Sequence, residues 1–143
     1  MRKWISVIFL GLFLIIVIYV VVNLSTGRTT FFGKAANSGV FNPTNSYIFA
    51  SPLSVRAGGD KVRVTVFALD GQGKGIPKKS VVVSCKDPAA CQAAGITFVE
   101  VQPQTDTLGR AIYDLTAQNQ GKFELQASVE GVIIPQTVTV IFR

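Results

Sequence analysis

The 143-residue chain contains no histidine, and only two cysteines, one methionine and one tryptophan. Without histidine there is no Ser-His-Asp or Cys-His machinery. A structural zinc site needs four ligands, usually with C-x2-C-like spacing, and a chain with two cysteines and no histidine cannot supply them. No G-x-x-x-x-G-K-[ST] loop is present. The nearest stretch, GQGKG at residues 71–75, joins two strands instead of opening a helix, so the amides and dipole that bind phosphate are missing. There is no D-x-D-x-D-G run either. Asp70 and Asp106 each lie in a loop with glycines nearby, and read as turn residues bonding their own backbone instead of calcium ligands. Asp114 and Glu124 fall on different strands, and their spacing supports no acid–base pair. The chain is therefore expected not to be an enzyme, and to carry no cofactor and no metal.

Acidic residues are scarce as well: eight, against fourteen Lys and Arg, for a net charge of +6. Two of the cations, Arg2 and Lys3, precede a long apolar run. The remainder after Val22 holds twelve basic and eight acidic residues, or 12 − 8 = +4. That excess is mild, and no nucleic-acid partner is expected. Lys74, Lys78 and Lys79 cluster near one loop and form a candidate patch for an anionic wall polymer or lipid head group, the alternative being an ordinary solvated face.

Trp4 to Val22 is nineteen residues without a charge. As a helix it is about 28 Å long, close to the roughly 30 Å hydrocarbon thickness of a bilayer. It is longer than the h-region of a signal peptide, and VVVNLSTGR offers no small-x-small cleavage pattern. The expectation is a retained signal-anchor helix over residues 4–23, a cleaved signal peptide being the alternative. Residues 1–3 stay cytoplasmic under the positive-inside rule, and a long C-terminal domain translocates largely regardless of its charge. No cysteine follows the run to take a lipid, and the closing VTVIFR is no sorting signal. The bilayer is thus the first expected partner, through residues 4–23, in a single-pass cell-membrane protein with its C-terminal domain outside the cytoplasm.

That placement bears on Cys85 and Cys91, the pair in CKDPAAC. Outside the cytoplasm thiols meet an oxidising environment. Asp87-Pro88 between them favours a turn. The pair reads as a local disulfide stapling a surface loop between two strands, with free thiols as the alternative.

Residues 24–44 are rich in Gly, Ser, Thr and Asn and read as a juxtamembrane stalk. Phe31, Phe32 and Phe41 are unusual in a spacer, and are expected to pack on the domain base or dip into the membrane interface. From residue 45 to 143 the pattern changes to short strands separated by turns. YIFASPLSVRA is an interrupted edge strand, because Pro52 cannot donate to a ladder. DKVRVTVFAL puts Val62, Val64, Val66 and Ala68 inward and Lys61, Arg63 and Thr65 outward. KSVVVSC and GITFVEVQP follow. RAIYDLTA sends Ala111, Tyr113 and Leu115 inward and Arg110, Asp114 and Thr116 outward, KFELQASVEG buries Phe123, Leu125, Ala127 and Val129, and QTVTVIFR buries Val138, Val140 and Phe142. About seven strands with turns every 8–12 residues predict an all-β antiparallel sandwich, a closed barrel being the alternative. No helical pattern follows the membrane segment.

Three stretches in order, DGQGKGIPKKSVVVSC, TDTLGRAIYDLTAQNQGKFELQASVEG and VTVIF, carry a further signal. They resemble the bacterial Ig-like domain of the invasin and intimin type (group 1). That family has a D-x-x-G loop before its third strand, a T-D-x-x-G-x-A turn opening a later strand, and an x-G-x-(aromatic)-x-(aliphatic)-x-A strand after it. The likeness covers about residues 48–142. It implies an Ig-like sandwich serving as a rigid, non-catalytic module in surface proteins, usually in tandem arrays, of which this chain holds one copy. The expected function is binding, cell adhesion or structural display, towards a protein or envelope polymer that the sequence does not name. The alternative is a small accessory subunit of a membrane complex, with the helix making the main contacts. Gly11 has no second small residue four positions on, so a G-x-x-x-G packing face is missing.

Overall fold

The computed structural model describes residues 2–25 and 39–143. They belong to two units, residues 1–35 and 36–143. The first contains helix α1, Arg2–Ser25, and its described side chains between Phe9 and Val22 are exposed. Among the described residues no helix is long and apolar enough to cross a membrane. The spanning reading of residues 4–23 therefore rests on the sequence. The stalk reading of residues 26–38, with Phe31 and Phe32, lies outside the described residues.

The second unit is two packed sheets. One has the order β1 (Tyr47–Ser51), β3 (Val62–Phe67), β6 (Arg110–Thr116), β5 (Thr97–Gln102). The other runs β2 (Ser54–Val55), β9 (Val138–Phe142), β7 (Gly121–Val129), β4 (Val81–Cys85), with β8 (Val132–Ile133) also beside β7. Period-two alternation decides what is inside. Val62, Val64 and Val66, Ala111, Tyr113 and Leu115, and Phe123, Leu125, Ala127 and Val129 are all buried, as are Val140 and Phe142. Val138 is only partly covered. The Tyr113 hydroxyl donates to the Val81 carbonyl, so its burial between the sheets leaves no polar group unpaired.

The structure departs from the sequence reading in five places. Nine strands are present among the described residues, not about seven, because two pieces are short. Pro52 ends the first run, and the chain resumes as β2 in the other sheet. Glu130 and Gly131, both at positive φ, form a two-residue hairpin turn into β8. The sandwich is not purely antiparallel, since β2 pairs parallel to β9. A second helix, α2 (Pro88–Ala93), begins within the cysteine loop and carries Cys91 itself. Asp114 occupies an outward register position yet is buried, because Arg63 directly across on β3 lies over it, with Nε and Nη2 donating to its two oxygens at 2.9 and 3.2 Å. Lastly, residues 39–44 belong to the domain instead of the stalk: the Gly39 N–H donates to Asp70 Oδ2, the Asn42 N–H to the Leu69 carbonyl, and Phe41 packs against the core.

These contacts fix two poles. The chain joins the domain beside Asp70, just past the end of β3. Arg143 lies at the beginning of β3, exchanging hydrogen bonds with Val55 and Ala57.

Candidate functional site

The two loops bearing the family-like motifs meet at the first pole. Asp70 Oδ1 accepts from the N–H groups of Gln72 and Lys74 at 2.8 and 2.9 Å, and its Oδ2 from Gly39 at 3.1 Å. Asp106 Oδ1 accepts from Leu108 and Arg110 N–H, both at 2.9 Å, while Oδ2 takes Arg110 Nε. Both carboxylates thus bond local backbone, as turn-forming aspartates do. Thr105 links the two loops: its hydroxyl donates to the Ile76 carbonyl at 2.6 Å and accepts from the Lys79 N–H at 2.8 Å. Gly109, at φ +76°, packs against Gly75 and Ala68 so closely that a Cβ there would sit 2.4 Å from the Ala68 oxygen. The motif residues therefore hold the fold. They present no free ligand group.

The Asp70 carboxyl is held below the usual carboxylate range, chiefly by the Lys74 N–H, with Gln72 and Gly39 adding to it against the opposing effect of burial. Asp106 and Asp114 shift the same way, through Arg110 and Arg63. With a folded pKa below the unfolded value of about 3.9, the unfolded chain takes up the proton first as pH falls. The stabilisation is complete above that value and is lost as pH drops through the lower folded pKa. A melting-temperature titration should show a plateau above about pH 5 and a fall below about pH 4. Asp70→Asn should lower the plateau and flatten the fall.

Lys74, Lys78 and Lys79 do share the loop between β3 and β4. The Lys79 ammonium is taken by Glu130 at 2.9 Å, and Lys74 lies within the field of the Asp70 carboxylate. Lys78 is exposed at φ 61°. Lys74 and Lys78 are both exposed on this loop, and Lys79 is engaged by Glu130.

Cys85 and Cys91 are disulfide-bonded, with a Cα–Cα distance of 6.4 Å. Both are buried, and Cys91 is a residue of α2, so the bond ties the end of β4 to that helix. Asp87 caps this helix, its Oδ1 accepting the Ala90 N–H at 3.2 Å, and Pro88 stands at its first turn. The pair Asp-Pro was read as a turn, but cap followed by proline is also a helix-start signal. Thiol counting on unreduced, denatured protein should find no free sulfhydryl, and reduction should cost about 2 kcal/mol of stability for so short a loop.

Beside α2 a shallow groove of about 220 Å³ is lined by Lys86, Asp87, Ala90, Cys91, Lys122, Phe123 and Glu124. The Lys86 ammonium and the Thr137 hydroxyl both donate to Glu124 Oε1, at 3.0 and 2.7 Å. Lys86 and Glu124 pair with each other, and the groove's volume is below the roughly 300 Å³ at which ligand pockets begin. Among the described residues no group of three or more His, Cys, Asp or Glu could hold a metal ion.

What remains exposed is a surface. On the outer face of the four-stranded sheet Tyr47 stacks on Phe67 with ring centroids 4.7 Å apart, and Phe49 next to them is 55% exposed. Sequence reasoning placed Tyr47 and Phe49 on an edge strand without marking them, although their alternation with buried Ile48 and Ala50 was available.

No family model and no curated protein matches the sequence. Solved structures do match. The adhesin InvE of Yersinia pseudotuberculosis superposes with a TM-score of 0.56 at 24% identity, over 76% of this chain and 29% of that one. Invasin, a bacterial integrin-binding protein, gives 0.60 at 22% identity, over 73% and 20%. The D0–D1 domain of intimin gives 0.51 at 26% identity, over 66% and 45%. The present chain spans less than half of each of these solved chains. Its β domain has the Ig-like fold of the invasin and intimin type.

Proposed function

We propose that the chain is a single-pass membrane-anchored surface protein. Its helix α1 holds the Ig-like domain outside the cytoplasm as a non-catalytic module for adhesion or display. The observation that carries this reading is the pair of poles: the chain enters the domain beside Asp70 and leaves its fold beside Ala57, at opposite ends of β3. Six strand residues hold those ends about 20 Å apart, which suits a rigid spacer that projects a surface away from its anchor. The likeness to adhesin domains and the uncharged run Trp4 to Val22 support the same reading. The partner is a protein or envelope polymer beyond the membrane.

Protease shaving of intact host cells tests the topology, and intact mass of membrane-extracted protein tests the anchor. The domain should be lost to external protease, and the mass should include the first apolar segment. A mature chain starting near residue 24–30 would overturn the anchor, and full protection of the domain would overturn the topology.

A further inference from the structure

The pole at which the chain enters the β domain is built from segments that hold one another. Asp70 accepts the Gly39 N–H on one carboxylate oxygen and the Lys74 N–H on the other. Gly75 lies so near Leu108 that a Cβ on it would come within 2.2 Å of the Leu108 carbonyl. The Lys78 N–H donates to the Thr105 carbonyl at 2.7 Å. Val40 and Leu108 are 58% and 60% exposed at this pole, and Lys74 and Lys78 are exposed with them. A single exposed leucine says nothing. Here two apolar side chains stand among cations.

The carboxylates of this pole are already taken. Asp70 is buried and accepts backbone N–H groups from Gly39, Gln72 and Lys74. Asp106 is paired with Arg110, and Glu130 with Lys79. Lys74 feels the field of Asp70, but among the described residues neither Lys74 nor Lys78 forms an ion pair. The order of the chain says what lies next to them. Helix α1 stops at Ser25, and the described domain begins at Gly39. The 13 residues between, 26–38, hold Arg28 and Lys34 and no acidic residue, and such a length spans at most about 45 Å.

We propose that this pole rests on the anchoring bilayer, with Lys74 and Lys78 on anionic phospholipid head groups and Val40 and Leu108 in the interface. The inference rests on the anchor proposed above, and deepens it by naming a lipid that the domain itself touches. Binding at a membrane surface grows with the apolar area buried and with the attraction of cations to anionic lipid. A lipid surface satisfies both kinds of side chain found here. A soluble polyanion would engage the lysines and leave Val40 and Leu108 in water. The contact is too small to hold a free domain, but a tether makes it intramolecular, and a weak contact then suffices. It sets the Asp70 end of β3 toward the lipid and the Ala57 end away from it.

The test uses the full chain in vesicles that carry a head-group quencher. One fluorophore is placed at Thr107→Cys, next to Leu108, or at Gly59→Cys, between β2 and β3 at the other pole. Cys85 and Cys91 are bonded to each other, so only the new thiol takes the label. With anionic phospholipid present, the Thr107 label should be quenched and the Gly59 label spared. Each lysine is worth about five-fold in contact at an anionic surface. Lys74→Gln together with Lys78→Gln should therefore lower the ratio of docked to free domain about thirty-fold, with the melting temperature unchanged. Added salt and Leu108→Ser should act in the same direction. Equal quenching at Thr107 and Gly59, or a Thr107 signal indifferent to the lysines, would overturn the proposal. So would polyphosphate in solution shielding the Thr107 label where vesicles do not. A chain that fails to float with the vesicles would overturn the anchor itself, whereas one that floats with its Thr107 label unquenched would overturn the docking alone.

Discussion

Leu125→Ala is expected to lower the unfolding free energy of the β domain by about 2–5 kcal/mol. Leu125 is fully buried, and it stands where β7 is flanked on both sides, opposite Cys85 on β4 and Val138 on β9. With strands fixed on either side, the sheet cannot close over the space left by the side chain. The loss would be a large share of the 5–15 kcal/mol typical of a domain. Thr65→Ser, at a half-buried position on the outer face of β3, should stay within about 1 kcal/mol. Urea melts of residues 36–143 read both values, and a larger effect at Thr65 than at Leu125 would overturn the facing assignment.

Gly109→Ala is expected to be about as damaging, for a different reason. The residue sits at φ +76°, where an L side chain costs about 1–2 kcal/mol. Its Cβ would also lie 2.4 Å from the Ala68 oxygen and 2.8 Å from the Gly75 Cα, both backbone atoms that no rotamer change can move. Forcing that contact open adds a further cost of about 1–3 kcal/mol. Loss of the Ala68 N–H to Gly109 carbonyl bond would part β3 from the start of β6. The same melts measure it, and Gly59→Ala, at negative φ with nothing within 4 Å of its Cβ, is the control that should change little.

Much of this fold was legible because its cause is local. Val62, Val64 and Val66 alternate with Arg63 and Thr65, and a strand has no other way to bury one set. Gly109 was legible through its motif. What could not be read depends on contacts distant in sequence. Nothing near Asp114 says that Arg63, 51 positions earlier, will cover it. Residues 39–44 look like spacer because Gly39 and Asn42 are held by Asp70 and Leu69, far along the chain. β2 and β8 are too short for a period to establish itself. The site was the least legible part. The lysines drew attention by clustering, yet one is neutralised by Glu130, which lies 51 positions from it.

The two poles also decide how the domain answers to tension. β1 starts at the Asp70 pole and runs towards the other, and β9 ends beside Arg143 at that other pole. A pull between residues 39 and 143 therefore runs along both strands. β1 would have to slide past β3, and β9 past β7 and β2, with every hydrogen bond of the register strained together. Peeling, which breaks such bonds one at a time, needs a pull across the strands, and the attachment points do not supply it. Because forced unfolding is governed by the unfolding barrier rather than by equilibrium stability, this domain can be modest in a urea melt and still stiff under load in shear.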